Sequence, residues 1–222
     1  MRRLLATIAV LAVSAAAVTA AELRPDTAAA WNRYVVRAER QLHQAHGPEP
    51  DGTSVNVPGG TIYHWRGSTL VHGTTVDRVV HRLMHPGTPP PQEDVLESRV
   101  VSRRGNTLHV YLKLARSVLI TVVYDTEHDV VFQRHSPQMT TSRSVSTRIV
   151  ETGDSDRGFL WRLNSYWRYA QVGNDVRIDL ESVSLSRDVP RVTRPVAIPL
   201  ANRIARESVV RTLDSVRSYV AN

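Results

Sequence analysis

Apolar and polar positions alternate with a period of two through most of the stretch from Val95 to Asp188, and helical spacing returns on either side of it. Alternation puts every second side chain on one face of a sheet, whereas spacing at i, i+3 and i+4 builds an apolar stripe along a helix. The alternation predicts strands over Thr61–Val71, Val95–Arg103, Thr107–Leu114, Val118–Glu127, Val130–His135, Ser142–Glu151, Gly158–Gln171 and Asp175–Arg187. Three helices flank or interrupt them. The first is capped by Asp26 and runs to about His46, with Trp31, Tyr34, Val35, Ala38 and Leu42 along one face. A short second helix starts at Thr74 or Thr75 and runs to about Met84, and a third starts at Pro199. The last carries Leu200, Ile204, Val209, Leu213, Val216 and Val220 as its stripe, with Arg203, Arg206, Arg211 and Arg217 on its wet side. Gly47 to Gly60, with Pro48, Pro50 and Pro58, reads as a linker.

Two turns set the pairing. Gly105-Asn106 and Gly173-Asn174 are two-residue hairpin signals, since both residue types tolerate positive φ. The second pairs Arg168 with Asp179, Tyr166 with Glu181 and Asn164 with Val183. The opposite face then carries Phe159, Trp161, Leu163, Ser165, Trp167 and Tyr169 across from Val176, Ile178, Leu180, Ser182 and Ser184. Ion pairs suit a wet face and an aromatic row suits a covered one, so the second face is assigned to the concave side.

Composition narrows the setting. Arg2 and Arg3 precede an apolar run from Leu4 to Ala17, and Val18-Thr19-Ala20 offers small residues for cleavage. Residues 1–20 therefore read as a signal peptide, cleaved near Ala20, that exports the chain to the periplasm or medium. With no cysteine, neither a lipid anchor nor a disulfide is available, and stability must come from a core. Of 28 basic residues only Lys113 is a lysine, and the arginines are scattered among acids rather than gathered in a tract. That argues against nucleic acid and leaves peripheral contact with an anionic membrane as a possible partner.

An α+β order of strand, short helix, meander of about six to seven strands and long C-terminal helix resembles the helix-grip fold of the START-like (SRPBCC) superfamily. That superfamily includes Bet v 1-like proteins and the polyketide cyclase/dehydrase and lipid transport group. The blocks Val118–Val130, Arg143–Ile149 and Gly158–Tyr169 are similar to exported bacterial START-like proteins. The resemblance covers residues 61–222, with residues 21–60 as an added N-terminal helix and linker. It implies a curved antiparallel sheet wrapped on the C-terminal helix, and a hydrophobic tunnel between them. It names no reaction, because the superfamily has no universal catalytic motif.

Candidate chemistry is correspondingly spare. Trp161, Leu163, Trp167, Tyr169, Ile178, Leu180 and Leu213 are expected to wall a ligand pocket, with Ser165, Ser182 and Ser184 as isolated hydroxyls. These aromatics are either pocket wall or plain core. Each lipid methylene buried there would contribute about 0.8 kcal/mol. Arg99, Asp125, His128 and Arg148 are the candidates for polar head-group contacts; ordinary surface ion pairing is the alternative for the arginines. Arg143 and Arg148 should point to opposite faces. Asp125, Glu127 and Asp129 share a face that His128 does not. His43/His46 and His81/His85, at i,i+3 and i,i+4, lie on Arg-rich helices without an acidic partner and read as solvated, so no metal or other cofactor is expected. No Gly-x-Ser-x-Gly elbow, cysteine nucleophile or phosphate-cradling glycine loop is present. His109, Tyr111, Tyr124 and His128 qualify as acid–base groups by residue type only.

The sequence thus predicts an exported protein that binds or carries a hydrophobic small molecule, foremost a lipid. The alternatives are a cyclase/dehydratase-type enzyme using the same pocket, or a structural or protein-interaction module with a filled interior. Oligomeric state is not encoded in any of these patterns.

Overall fold

The structure is a computed structural model that describes residues 23–40, 45, 47–86, 94–117, 121–153, 160–188 and 194–221. The element order is α1 (Pro25–Glu39), β1 (Asp51–Val57), β2 (Gly60–Val71), α2 (Val76–Met84), β3 (Val95–Arg104), β4 (Thr107–Ser117), β5 (Thr121–Ser136), β6 (Met139–Glu151), β7 (Arg162–Val172), β8 (Asp175–Arg187) and α3 (Arg194–Ala221). The strands form one antiparallel sheet in the order β1-β2-β8-β7-β6-β5-β4-β3. Residues 1–20, read above as a signal peptide, Phe159 and residues 118–120 lie outside the described residues.

Both glycine turns hold. Gly105 and Gly173 have φ of 58° and 59°, while neither following asparagine has positive φ. Positive φ at the first central residue alone is the type II′ arrangement, whose twist suits a hairpin. The predicted cross-hairpin pairs Arg168–Asp179, Tyr166–Glu181 and Asn164–Val183 are all present.

Four element boundaries depart from expectation. The stretch read as a linker contains β1, which turns at Gly59 and pairs with β2 along its whole length, so the sheet has eight strands. An edge strand with mostly exposed residues needs no alternation, which hides it behind its flanking prolines. The two strands expected on either side of His128-Asp129 are one, β5, of 16 residues. α3 starts at Arg194 and carries Pro199 inside it, close enough to its start that the missing N–H interrupts only the early turns. At the other end of the chain Asp26 is not the cap. Arg24 holds that position, Pro25 follows it, and Asp26 lies in the first turn of α1.

The two long helices bury opposite faces of the same strands. On the concave side, Val209, Leu213 and Val220 of α3 join Val71, Val176, Ile178, Leu180 and Tyr169 in the largest apolar cluster. Gly67 of β2 admits the helix: a Cβ there would stand 3.2 Å from Leu213 and 3.4 Å from Val209. Polar ties fix α3 as well, through Arg211 to Asp94 (2.9 and 3.0 Å) and Asn202 to Ser54 (3.3 Å).

On the convex side, Trp31 and Val35 of α1 cover Ile62, Tyr166, Val183 and Leu185. The face assigned to water therefore lies partly beneath α1. Two polar clasps reinforce the docking. His64 sits between Tyr34 of α1 (3.1 Å) and Glu181 (2.8 Å), and Glu39 accepts from both Tyr166 (3.0 Å) and Arg143 (2.7 Å). Because Nε2 of His64 donates to the carboxylate, Nδ1 is left to meet the tyrosine hydroxyl.

Candidate functional site

Strand register defines what the concave face offers. One cross-strand row runs Leu108–Val130–Ser144–Ser165–Ser182–Trp65 over β4, β5, β6, β7, β8 and β2. The neighbouring row contains Val110, His128, Ser146, Leu163, Ser184 and Tyr63, where the Ser146 hydroxyl accepts from the Leu163 N–H at 3.0 Å. Five serines thus share one patch of the concave face, with Leu163, His128, Trp65 and Tyr63 beside them. All five are half-buried, as are Leu163 and Trp65.

Apolar clusters flank this patch. At one end lies the cluster sealed by α3; at the other, Leu114, Val122 and Tyr124 gather with Leu112, Ile149, Leu160 and Leu163. Trp167, Tyr169, Ile178, Leu180 and Leu213 all belong to the α3 end. Ile178 and Leu180 are 0% and 2% exposed, so these two are packed core beneath the helix. Tyr169 stacks parallel to Trp167 with ring centroids 6.4 Å apart, and its hydroxyl meets Ser142 at 3.2 Å. Its burial pushes the phenol pKa well up, so it stays protonated.

His128 is the polar centre of the floor. Thr126 donates its hydroxyl proton to the Leu112 carbonyl (3.0 Å), so its oxygen is free to accept from His128 Nε2 at 3.1 Å. Nδ1 is then the acceptor and faces the Ser144 hydroxyl at 3.5 Å. Desolvation lowers the imidazole pKa to about 4, outweighing the opposing pull of Asp129, so the ring is neutral at neutral pH.

The remaining polar candidates are not on this face. Arg99, Asp125 and Arg148 all project from the convex side. Asp125 accepts from the Tyr111 hydroxyl at 2.5 Å, a bond that holds the Tyr111 pKa up at about 12. Arg99 lies 4.4 Å over the Tyr111 ring and bonds Glu97 at 3.2 Å. Arg148 pairs with Glu127 at 3.6 Å. Its orientation follows from a β-bulge: Glu127 pairs with Arg148 but His128 pairs with Ser146, so Thr147 is extra and inverts the alternation. Arg143 and Arg148 consequently share the convex face instead of opposing one another.

Trp161 is also displaced from the expected row. β7 begins only at Arg162, so Trp161 escapes the alternation and packs with Ile62 and Leu185 beside α1. Conversely, Trp65, Ser144 and Ser146 were not among the expected site residues. The alternating Ser142, Ser144 and Ser146 were a usable signal, had the hairpin register been carried one strand further. Trp65 Nε1 is buried and has no hydrogen-bond partner. No group of three or more metal-ligating side chains occurs among the described residues.

No family model matches the chain, and no curated protein matches it by sequence. Solved structures do match in fold. A STAR-related lipid transfer protein from Xanthomonas axonopodis superposes with a TM-score of 0.52 at 17% identity, covering 77% of this chain and 99% of that one. The TTHA0849 protein from Thermus thermophilus gives 0.53 at 14% identity, covering 71% and 96%. The Zhui aromatase/cyclase from Streptomyces sp. R1128 gives 0.50 at 12% identity, covering 72% and 93%. At such identities the likeness speaks for architecture: an antiparallel sheet wrapped on a long C-terminal helix, with an additional helix at the N-terminus. The chain has the START-like helix-grip fold.

Proposed function

We propose that this protein binds a neutral, largely hydrophobic molecule, foremost a lipid, over the serine floor between the concave sheet and α3. The observation that carries the reading is the pair of rows holding Ser144, Ser146, Ser165, Ser182, Ser184 and His128 between two apolar clusters. A sheet face meant only as core would be filled by large side chains, because interiors pack to crystal-like density. Small hydroxyls leave volume and offer weak orienting bonds, while the clusters at either end supply apolar wall.

Charge supports a neutral ligand. The two rows carry no ionised side chain at neutral pH, since His128 is held uncharged. A ligand with an ionised group would have to leave it at the rim, because a charge buried among hydroxyls and apolar walls costs several kcal/mol. The orphaned Trp65 Nε1–H adds a donor whose burial without a partner costs about 1–3 kcal/mol, which an acceptor on the ligand would relieve after local repacking. His128 is bonded to hydroxyls rather than to a carboxylate, an arrangement suited to holding a ligand. The STAR-related protein's name, lipid transfer, agrees with this assignment. Export rests on the Arg2–Ala20 pattern, and the basic surface suits peripheral contact with anionic lipid.

One preparation tests ligand and export together. Protein isolated from its own host is analysed by native mass spectrometry. We expect a polypeptide beginning at Ala21 with a bound apolar molecule that solvent extraction removes. Ser165→Trp places a large side chain on the floor; overpacking of about 1–3 kcal/mol corresponds to roughly a tenfold loss of affinity or more. A bare polypeptide, or occupancy that Ser165→Trp leaves unchanged, would refute the binding site.

A further inference from the structure

Far from the serine floor, α2 and the last turn of α3 enclose an open cleft of about 660 Å³. Arg78, His81, Arg82 and His85 line its α2 wall. They fall at i, i+3, i+4 and i+7, so a single helix face presents four cationic or protonatable side chains. The opposite wall includes Tyr219, whose ring centroid lies 4.9 Å from the Arg82 guanidinium carbon. His81 and His85 stack with centroids 4.4 Å apart, and His85 Nδ1 donates to the His81 carbonyl at 2.9 Å.

Neighbouring acids do not neutralise this face. Asp77, which also lines the cleft, is engaged by Arg134 at 3.0 Å, and Asp175 by His72 at 2.9 Å and by the Gly73 N–H at 3.0 Å. Among the described residues, Arg78 and Arg82 have no carboxylate partner, and the buried Arg82 Nε has no hydrogen-bond partner at all. Helix stability accounts for only part of the pattern. Basic groups in the last turn oppose the negative end of the helix dipole, which suits His81 and Arg82. Arg78 is the third residue of α2, where the dipole disfavours a cation, and like charges three and four residues apart repel. Arg78 therefore weakens the helix that carries it.

We infer that this cleft is a binding site for a phosphate-type anion, either free phosphate or the head group of a phospholipid. A phosphate presents acceptor oxygens at the spacing of an arginine's planar fork, so the guanidinium groups of Arg78 and Arg82, which line the cleft, would each gain charge-assisted bonds. The imidazoles of His81 and His85 supply further donors beside them. None of these residues belongs to the serine rows, so the cleft and the floor stand or fall separately.

The test titrates inorganic phosphate into the full-length protein while histidine ring resonances are followed by NMR. In parallel, the protein is sedimented with phosphatidylcholine vesicles made with and without phosphatidylglycerol. We expect the His81 and His85 signals to shift saturably with phosphate, or the protein to sediment with the anionic vesicles only. Vesicle binding without a phosphate response would identify the head group as the source of the anion. Arg78→Gln changes an exposed side chain and should weaken whichever binding is seen by about tenfold, the scale of one lost charge-assisted bond. Arg82→Lys, which keeps the charge and loses the fork, should weaken it as well. Arg33→Gln on α1 removes the same charge elsewhere and should bind like the unmodified protein. The inference is overturned if neither probe binds, if Arg78→Gln binds as before, or if Arg33→Gln loses as much.

Discussion

His128 joins folding and ligand chemistry in one side chain. It is 3% exposed and its hydrogen-bond partners are hydroxyls, so its neutral form is favoured in the folded chain. Unfolded, the imidazole takes a proton near its ordinary value of 6.5; folded, it does so only near 4. Between these values the unfolded chain holds the additional proton, and stability falls as the pH is lowered. At about 1.4 kcal/mol per pKa unit the contribution is on the order of 3 kcal/mol, complete above pH 6.5 and lost by about pH 4. His128→Gln cannot take up that proton. Urea unfolding at a series of pH values should therefore give a shallower decline for the variant over this window than for the unmodified protein. Parallel profiles would mean that His128 is not the neutral, desolvated group described above.

At the scale of elements, α3 comes close to β2 at Gly67. Leu213 and Val209 already stand at contact distance from where a Cβ would be. Gly67→Val should force the helix outward and cost about 1–3 kcal/mol, read as a lowered urea midpoint with little change of slope. An unchanged midpoint would show that the helix shifts freely. This contact was not legible in the sequence, because a glycine inside an alternating strand shows no partner. What was legible came from periodicity and from turns that only glycine accommodates: six strands close to their expected bounds, the three helices, and the faces of β7 and β8. β1 was hidden because an exposed edge strand has no apolar face to repeat. Arg148 was misplaced because the bulge at Thr147 adds a residue that no composition signal marks. Trp161 failed for a similar reason, since an alternation was extended past the true end of a strand. Sites built across strands need register, and sequence supplied it for a single hairpin.

Over the whole molecule, β2 and β8 are buried from both sides, by α3 beneath and α1 above, so α1 is part of the fold's core. Ile62, Val183 and Leu185 are each 0% exposed under it, and Tyr166 is 3% exposed. Removing α1 would uncover these four and forfeit the burial of Trp31 and Val35. At about 1.5–3 kcal/mol for each large apolar side chain the loss is about 10 kcal/mol, comparable to the entire stability of an ordinary domain. The Tyr34–His64 and Glu39–Tyr166 clasps would be broken as well, leaving His64 and the Tyr166 hydroxyl with one partner fewer each. A chain beginning at residue 45 should accordingly be unfolded or aggregated when purified, judged by circular dichroism and size-exclusion chromatography. Trp31→Ala should keep the fold but lower stability by about 3–5 kcal/mol in urea unfolding. A truncated chain that remains monomeric and unfolds cooperatively near the full-length midpoint would reduce α1 to an external attachment.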